Sequence, residues 1–443
     1  MRCEQSGASP IVNSAWKARV RPREDDGLII GMYGKGTAQP EQRRGYRGQS
    51  NRCPTPGELV RYQGDSHLMT FGVTGSGKTA GPVIANALDH PGPLISIECK
   101  GDVYAATAEY RRAQGHEIVL LDLSGPNARS SQFNPIHAAQ IGSNDPVITG
   151  RSMASEIVPR DTNESLFWQN WPETLHTGGL VYVMTQLPDS ERNFGSLFDL
   201  FHNDDVNYTL AFLLDTVGSS MNKAAYTAFS SYLQLSERET RPSVLGSTQQ
   251  HLRLWESDYI RRLTADTSFD LEGLIAGKPI SVYIIVPPFR MKAYAPLLRL
   301  WLSSLLSALM TRGSRPQDQK TLILCDELGA LGRIESFVTA STLLRSASVQ
   351  LWSFWQNPAQ LEIYGSDART LVDNAGVIQL LGAKNHRMAR EFSELVGGIG
   401  PDQIMSMSHD EQLVLTDGGQ PNTYKRVRYF EHPLLRDLAT KPR

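Results

Sequence analysis

Residues Gly72-Val-Thr-Gly-Ser-Gly-Lys-Thr79 decide the reading of the fold. They satisfy the pattern G-x-x-x-x-G-K-[ST] in full. The apolar run His67-Leu-Met-Thr-Phe71 precedes them and reads as a strand. Ala80 to Leu88, small and apolar at helical spacing, follows and reads as a helix. Strand, glycine turn and helix in that order build a phosphate cradle. Gly72, Gly75 and Gly77 release the backbone from the penalty of a Cβ. The N–H groups of the turn, through Thr74 and Ser76, then converge on an anion at the helix N-terminus. Lys78 supplies a mobile charge for the β- and γ-phosphates, and Thr79 a hydroxyl for Mg²⁺. ATP and Mg²⁺ are therefore the expected ligands.

Outward from this turn, strand and helix alternate. Pro93–Glu98 and Glu117–Asp122 read as strands, with a helix from Val103 to Gln114 between them. Such alternation predicts a mostly parallel sheet with helices on its faces. From 145 to 275 the strand pattern stops. Apolar residues recur at helical spacing over 164–186, 196–201, 206–216, 223–235 and 242–255, which predicts an all-α insertion. Trp168 and Trp171 stand i, i+3 on the first of these, where packing between helices is expected ahead of stacking on a base. After Pro279 the α/β pattern resumes with strands at 280–286, 320–325, 349–354 and 377–381 and a helix over 293–312. A hairpin closes the chain around Asp417-Gly418-Gly419. The expected divisions are an arm and edge strand over 1–62, a nucleotide-binding fold split between 63–144 and 276–443, and the helical insertion at 145–275.

The 443 residues carry 40% hydrophobic and 20% charged side chains and a net charge of −2. That composition suits a globular chain with a buried core and excludes a global basic field for nucleic acid. Residues 1–62 differ, with 11 Lys and Arg against 6 acids. A solvated arm is expected there, with phosphate or lipid contact as the alternative. The four cysteines, Cys3, Cys53, Cys99 and Cys325, form no C-x-x-C pair, which argues against a zinc site and for a reducing compartment. The longest apolar stretch, Ala293 to Met310, contains Pro296 and Arg299 and reads as a core helix rather than a bilayer span. No apolar signal region opens the chain.

Turnover of a bound triphosphate needs a metal-holding acid and a group that orients water. Leu322-Ile-Leu-Cys-Asp326-Glu327 is an apolar strand ending in two acids. Asp326 suits the Mg²⁺ shell and Glu327 the polarisation of water. Gln356 directly follows the next strand, where a polar side chain senses the γ-phosphate. Arg345 suits a role across a subunit interface, with a helix-end ion pair as the alternative. Lys100 and Asp102 follow the second strand and serve either the site, an interface or a surface turn.

Taken in order, these features resemble the type IV secretion coupling proteins of the TraG/TraD class, within the FtsK/HerA-like P-loop superfamily. The resemblance runs from Gly27 to about Leu435. Beside the phosphate loop and Asp326-Glu327, it rests on Leu59-Val-Arg-Tyr-Gln-Gly-Asp-Ser-His67, Cys99-Lys-Gly-Asp102 and Phe133-Asn-Pro-Ile136. Phe167-Trp168, Tyr283-Ile-Ile-Val-Pro-Pro288 and Gln356-Asn-Pro-Ala-Gln-Leu361 complete the set. It implies a RecA-like motor domain, a membrane-distal all-α domain that meets cargo, and a hexamer with a central channel. By position it implies phosphate and Mg²⁺ at Lys78 and Thr79, a Walker B pair at Asp326 and Glu327, a sensor at Gln356 and a trans-acting arginine at Arg345. The implied activity is ATP-driven recruitment or pumping of DNA–protein substrates, such as a relaxase on DNA, to a secretion channel in the inner membrane. A translocase unconnected with secretion and a nucleotide-gated adaptor ring are the alternatives. Two departures stand out. Family members begin with transmembrane helices, and these 443 residues read as containing none. The loop after the second strand reads Glu98-Cys-Lys-Gly-Asp102 where the family has Asp-x-Lys-Gly-Glu. The expectation is a cytoplasmic protein tethered by a membrane partner, or a soluble relative.

Overall fold

The computed structural model describes residues 27–34, 55–158, 166–313 and 319–440. Eleven strands of these residues form one sheet. They are β1 (Leu28–Met32), β2 (Leu59–Tyr62), β3 (His67–Phe71), β4 (Leu94–Glu98), β5 (Glu117–Asp122) and β6 (Ile280–Ile285). They continue as β7 (Thr321–Cys325), β8 (Val349–Trp355), β9 (Ala375–Leu380), β10 (Glu411–Thr416) and β11 (Asn422–Lys425). The spatial order is β2-β1-β11-β10-β9-β3-β8-β7-β4-β6-β5. From β9 to β5 neighbours run parallel, and from β9 to β2 they run antiparallel. This is the α/β, RecA-like P-loop arrangement, with its sheet mostly parallel.

The central parallel strands are buried on both faces, which is why they read as unbroken apolar runs, whereas β5 at the sheet's end is partly exposed. Successive residues still divide between two cores. Leu68, Leu322, Leu324 and Trp352 enter one, with the helices Ile84–Asp89, Asp102–Ala113 and Pro433–Leu438. Met69, Phe71, Ile323 and Leu351 enter the other, with the helices Met291–Met310, Glu335–Leu343 and His386–Val396. That second core is continuous with the interior of the helical segment.

Between β5 and β6 the described residues are helices and turns. Local sequence explains where the helices start. The side chains of Asn134, Asp145, Asn193, Asp205, Asn222 and Asp270 each accept a backbone N–H of the turn they open. Inside this block the helix Leu166–Gln186 packs closely on its neighbours. A Cβ on Gly178 would sit 2.5 Å from the Cβ of Ala228.

The helical stretch Pro288–Met310 is long and apolar enough to cross a membrane by composition, and 67% of its apolar window is buried in the protein. Arg299, the charge that interrupts it, donates to the carbonyls of Glu156 and Leu331 and so ties two segments to the helix.

Several expectations need correction. The apolar run Leu28–Met32, the strand candidate of the 1–62 segment, is not the edge; it lies between β2 and β11, and β2 is the edge. Residues 59–62 are too short to register as a strand by pattern alone. Trp168, expected between helices, is 36% exposed, while Trp171 is partly buried and packs against the second core. Short helices at Asp258–Ala265 and Leu271–Ile275 complete the insertion. Of the basic arm, residues 1–26 and 35–54 lie outside the described residues, as do Cys3 and Cys53. Cys325 is buried and Cys99 partly buried, both free.

Candidate functional site

β8 lies between β3 and β7, so the carboxyl ends of all three meet on one rim. The phosphate loop continues β3, Asp326 and Glu327 continue β7, and Gln356 continues β8. The ladder runs on past the strand ends: Gly72 N donates to the Trp355 carbonyl at 2.9 Å and Asp326 N to that of Ile97 at 3.1 Å. Gly75 and Gly77 hold φ of +82° and +89°, the left-handed region that a side chain would disfavour.

Five polar side chains meet at the loop. Lys78 Nζ donates to the Gly72 carbonyl and stands 3.7 Å from Glu327 Oε1. Thr79 Oγ1 donates to Asp326 Oδ2 at 2.8 Å. Gln356 Nε2 donates to Glu327 Oε2 at 2.8 Å. Glu327 itself is a non-glycine residue at φ +59°, a conformation that costs on the order of 1–3 kcal/mol. Gln360 accepts from Gln356 N at 2.6 Å and fills the space beside Gly329, so the loops after β7 and β8 brace each other.

Asp326 tests the fit to a metal. Its Oδ1 is buried and has no hydrogen-bond partner, and burial pushes the carboxyl above its ordinary range against the pull of Thr79. A buried carboxylate oxygen left without a donor costs roughly 1–3 kcal/mol or more. A divalent cation held by Thr79 and Asp326 removes that cost, so the residues fit Mg²⁺.

The structure does not bring Arg345 to this cluster. It lies in the turn between the helix Glu335–Leu343 and the amino end of β8, on the opposite rim. Burial holds His67, at the amino end of β3, down to about 4, and the Arg345 charge adds to that effect. The seven residues of β8 separate Arg345 from its own phosphate loop by on the order of 20 Å. Its side chain is exposed, with no ion pair among the described residues. Lys100 and Asp102 are exposed at the carboxyl rim. The Phe133-Asn134-Pro135 stretch is structural: Asn134 caps a helix and Trp301 Nε1 donates to the Phe133 carbonyl at 2.9 Å.

Sequence reasoning missed two groups at the site. Arg426, from beyond β11, donates to the carbonyl of Ser76 in the phosphate loop at 3.0 Å. Glu98 ends β4, buried, and accepts from the N–H groups of Val103 and Tyr104 at 2.8 and 2.9 Å. Burial pushes Glu98 up to about 7, and Asp102 and Asp326 add to it. Burial also pushes Glu156 up to about 7. A folded value above the unfolded one means that the native state holds more protons between the two. The associated stability is full below about 4.5 and is lost as pH rises through about 7. We therefore expect the denaturation midpoint to fall from about pH 5 to about pH 8, and Glu98→Gln to flatten that fall. An unchanged slope in the variant removes Glu98 from the account.

A family model described as type IV secretory system conjugative DNA transfer matches residues 41–400. The chain is 23% identical over 410 residues to protein VirD4 of Agrobacterium fabrum, covering 84% of this chain and 60% of that one. It is 23% identical over 400 residues to conjugal transfer protein TraG of Escherichia coli, covering 85% and 61%. It therefore spans about three-fifths of the length of these curated relatives. Among solved structures, the plasmid coupling protein TrwB in complex with the ATP analogue ADPNP superposes with a TM-score of 0.65 at 16% identity, covering 91% of this chain and 95% of that one. TrwB in complex with ADP and Mg²⁺ gives 0.63 over the same shares. At that identity the likeness carries the fold.

Proposed function

This chain belongs to the type IV secretory system conjugative DNA transfer family, and we propose that it is the ATP-hydrolysing coupling protein that delivers DNA–protein substrates to a secretion channel. The observation that carries this reading is the convergence of Lys78, Thr79, Asp326, Glu327 and Gln356 from three adjacent strands on one glycine turn. The ADPNP and the ADP with Mg²⁺ held in the TrwB structures support ATP and Mg²⁺ as the pair bound here.

Each residue has a role that its contacts support. The turn from Gly72 through Thr74, Gly75, Ser76 and Gly77 presents backbone N–H groups to the phosphates. Lys78 exchanges its contact with Gly72 for a phosphate oxygen. Thr79 and Asp326 hold Mg²⁺, which when bound neutralises charge on the β- and γ-phosphates. Glu327 accepts the proton of the attacking water, and Gln356, bonded to the same carboxylate, links the presence of the γ-phosphate to β8 and the loop that follows it. Arg345 completes the site of a neighbouring subunit in a homo-hexamer.

The domain plan follows. Residues 63–144 and 276–443 form the motor, 145–275 the cargo-facing helical domain, and 1–62 a basic arm. A partner at the inner membrane, together with channel components, receives the substrate, and the chain works on the cytoplasmic side.

The test is the ATPase rate with and without single- and double-stranded DNA, read beside oligomeric mass. We expect DNA to raise the rate and the active species to be a ring. A rate indifferent to DNA in a chain that stays monomeric overturns the motor. Failure to retain a relaxase or channel components turns the reading toward a translocase outside secretion.

A further inference from the structure

We infer that Arg299 is a positioning residue for Glu327: it locks the turn that follows this acid to the end of a helix in the helical segment. The inference rests on the reading of Glu327 as the group that takes the proton from water, and it names what holds that group in place.

The need for a lock follows from the turn itself. Glu327 opens the 3₁₀ turn Leu328–Leu331 at φ +59°, and Gly332 closes it at φ +75°. Left-handed backbone at a non-glycine residue persists only where the surroundings hold it. Leu328 and Leu331 are buried, but apolar burial has no direction and does not by itself aim a carboxylate. The directed contacts come from outside the turn. Gln360 stands against Gly329 in its middle. Arg299 takes its end, where Nη1 donates to the Leu331 carbonyl at 3.1 Å.

The same guanidinium reaches into the helical segment. Its Nε donates to the Glu156 carbonyl at 2.8 Å. Glu156 is the penultimate residue of the helix Pro146–Ile157. A helix leaves its last four carbonyls without an internal partner, and a cation is favoured at that end. The Glu156 carboxylate turns to a third segment: Oε1 accepts from Ser336 N, in the first turn of Glu335–Leu343, at 3.5 Å. Burial lowers the Arg299 pKa against the pull of Glu156, so this guanidinium is held by the protein rather than by water.

The helix that Arg299 grips does not move alone. A Cβ on Gly150 would stand 3.2 Å from the Thr177 carbonyl oxygen, so Pro146–Ile157 lies tight on the long helix Leu166–Gln186. A shift of that pair pulls on Arg299 and, through Leu331, on Glu327. Misplacing a catalytic group by about 1 Å costs about 10²-fold in rate.

The experiment measures ATP hydrolysis by the full chain, as kcat and KM. The variants are Arg299→Met, Arg299→Lys, Glu327→Gln and the double variant Arg299→Met with Glu327→Gln. Methionine adapts to the apolar surroundings and makes neither bond. We expect Arg299→Met to lower kcat about 10²-fold with KM within about twofold of wild type. Arg299→Lys keeps the charge on a single nitrogen and should recover part of that loss. In the double variant the losses should not multiply. With the base gone its placement no longer matters, so the rate should match Glu327→Gln alone within about twofold. Damage to the fold at large would instead multiply with the loss of the base. Multiplied losses, a wild-type kcat in Arg299→Met, or an effect confined to KM overturns the inference. If Arg299→Met does not fold, Arg299→Lys replaces it in the double variant and is read in the same way. A Glu327→Gln chain at the wild-type rate fails the reading of the base instead, so the two failures are distinct.

Discussion

A Glu327→Gln chain will still take up ATP and will hydrolyse it on the order of 10²–10⁴ times more slowly than the wild type, the range that a positioned general base contributes. The substitution is nearly isosteric. It keeps an oxygen for Gln356 Nε2, which now bonds Glu327 at 2.8 Å, and it leaves the left-handed turn after β7 in place. It removes the negative charge 3.7 Å from Lys78 and the ability to take a proton from water. Lys78→Ala acts at an earlier stage, because it deletes the charge that grips the phosphates, and we expect it to lose affinity as well as turnover. Nucleotide titration together with steady-state phosphate release separates the two. A Glu327→Gln rate within a few-fold of wild type would assign the base elsewhere.

How much of this was legible in the sequence follows from how local each signal is. The phosphate loop was legible because its physics is contained in eight consecutive residues and the strand and helix that flank them. Asp326-Glu327 was legible only in company: two acids at the end of an apolar strand are common by themselves, and the phosphate loop upstream is what singles this pair out. The sheet order was not, since β8 meets β3 through pairings such as Leu68 with Trp352, far apart in the chain. Arg426 was invisible for the same reason: its contact with Ser76 spans 350 residues and belongs to no motif. Glu98 ended a predicted strand, and only the fold shows that its carboxylate is sealed under a helix start. Trp168 was misread because helical spacing does not reveal which side of a helix meets solvent. Arg299 marks its apolar helix as a core helix in the sequence, but the two carbonyls it holds belong to distant segments and come from the fold alone.

Arg345 yields the second large effect, and its placement makes the test decisive. A trans-acting arginine is worth about 10³–10⁵ in comparable phosphoryl transfers, so Arg345→Ala should lower the rate by at least about 10²-fold. Loss alone does not tell an interface role from a structural one, but mixing does. In a head-to-tail ring each site takes its acids from one subunit and its arginine from the next. An Arg345→Ala subunit keeps intact acids, and a Glu327→Gln subunit keeps an intact arginine. In an equal mixture about a quarter of the interfaces join the two intact halves, so two nearly inactive chains should regain measurable hydrolysis. The rate should depend on mixing before assembly and should vanish in either pure chain. No recovery at any ratio means that Arg345 does not work across an interface. Within a single chain it has no direct route to the phosphates, because β8 runs its full length between them. The only reading then left for Arg345 is support of the sheet's amino rim beside His67.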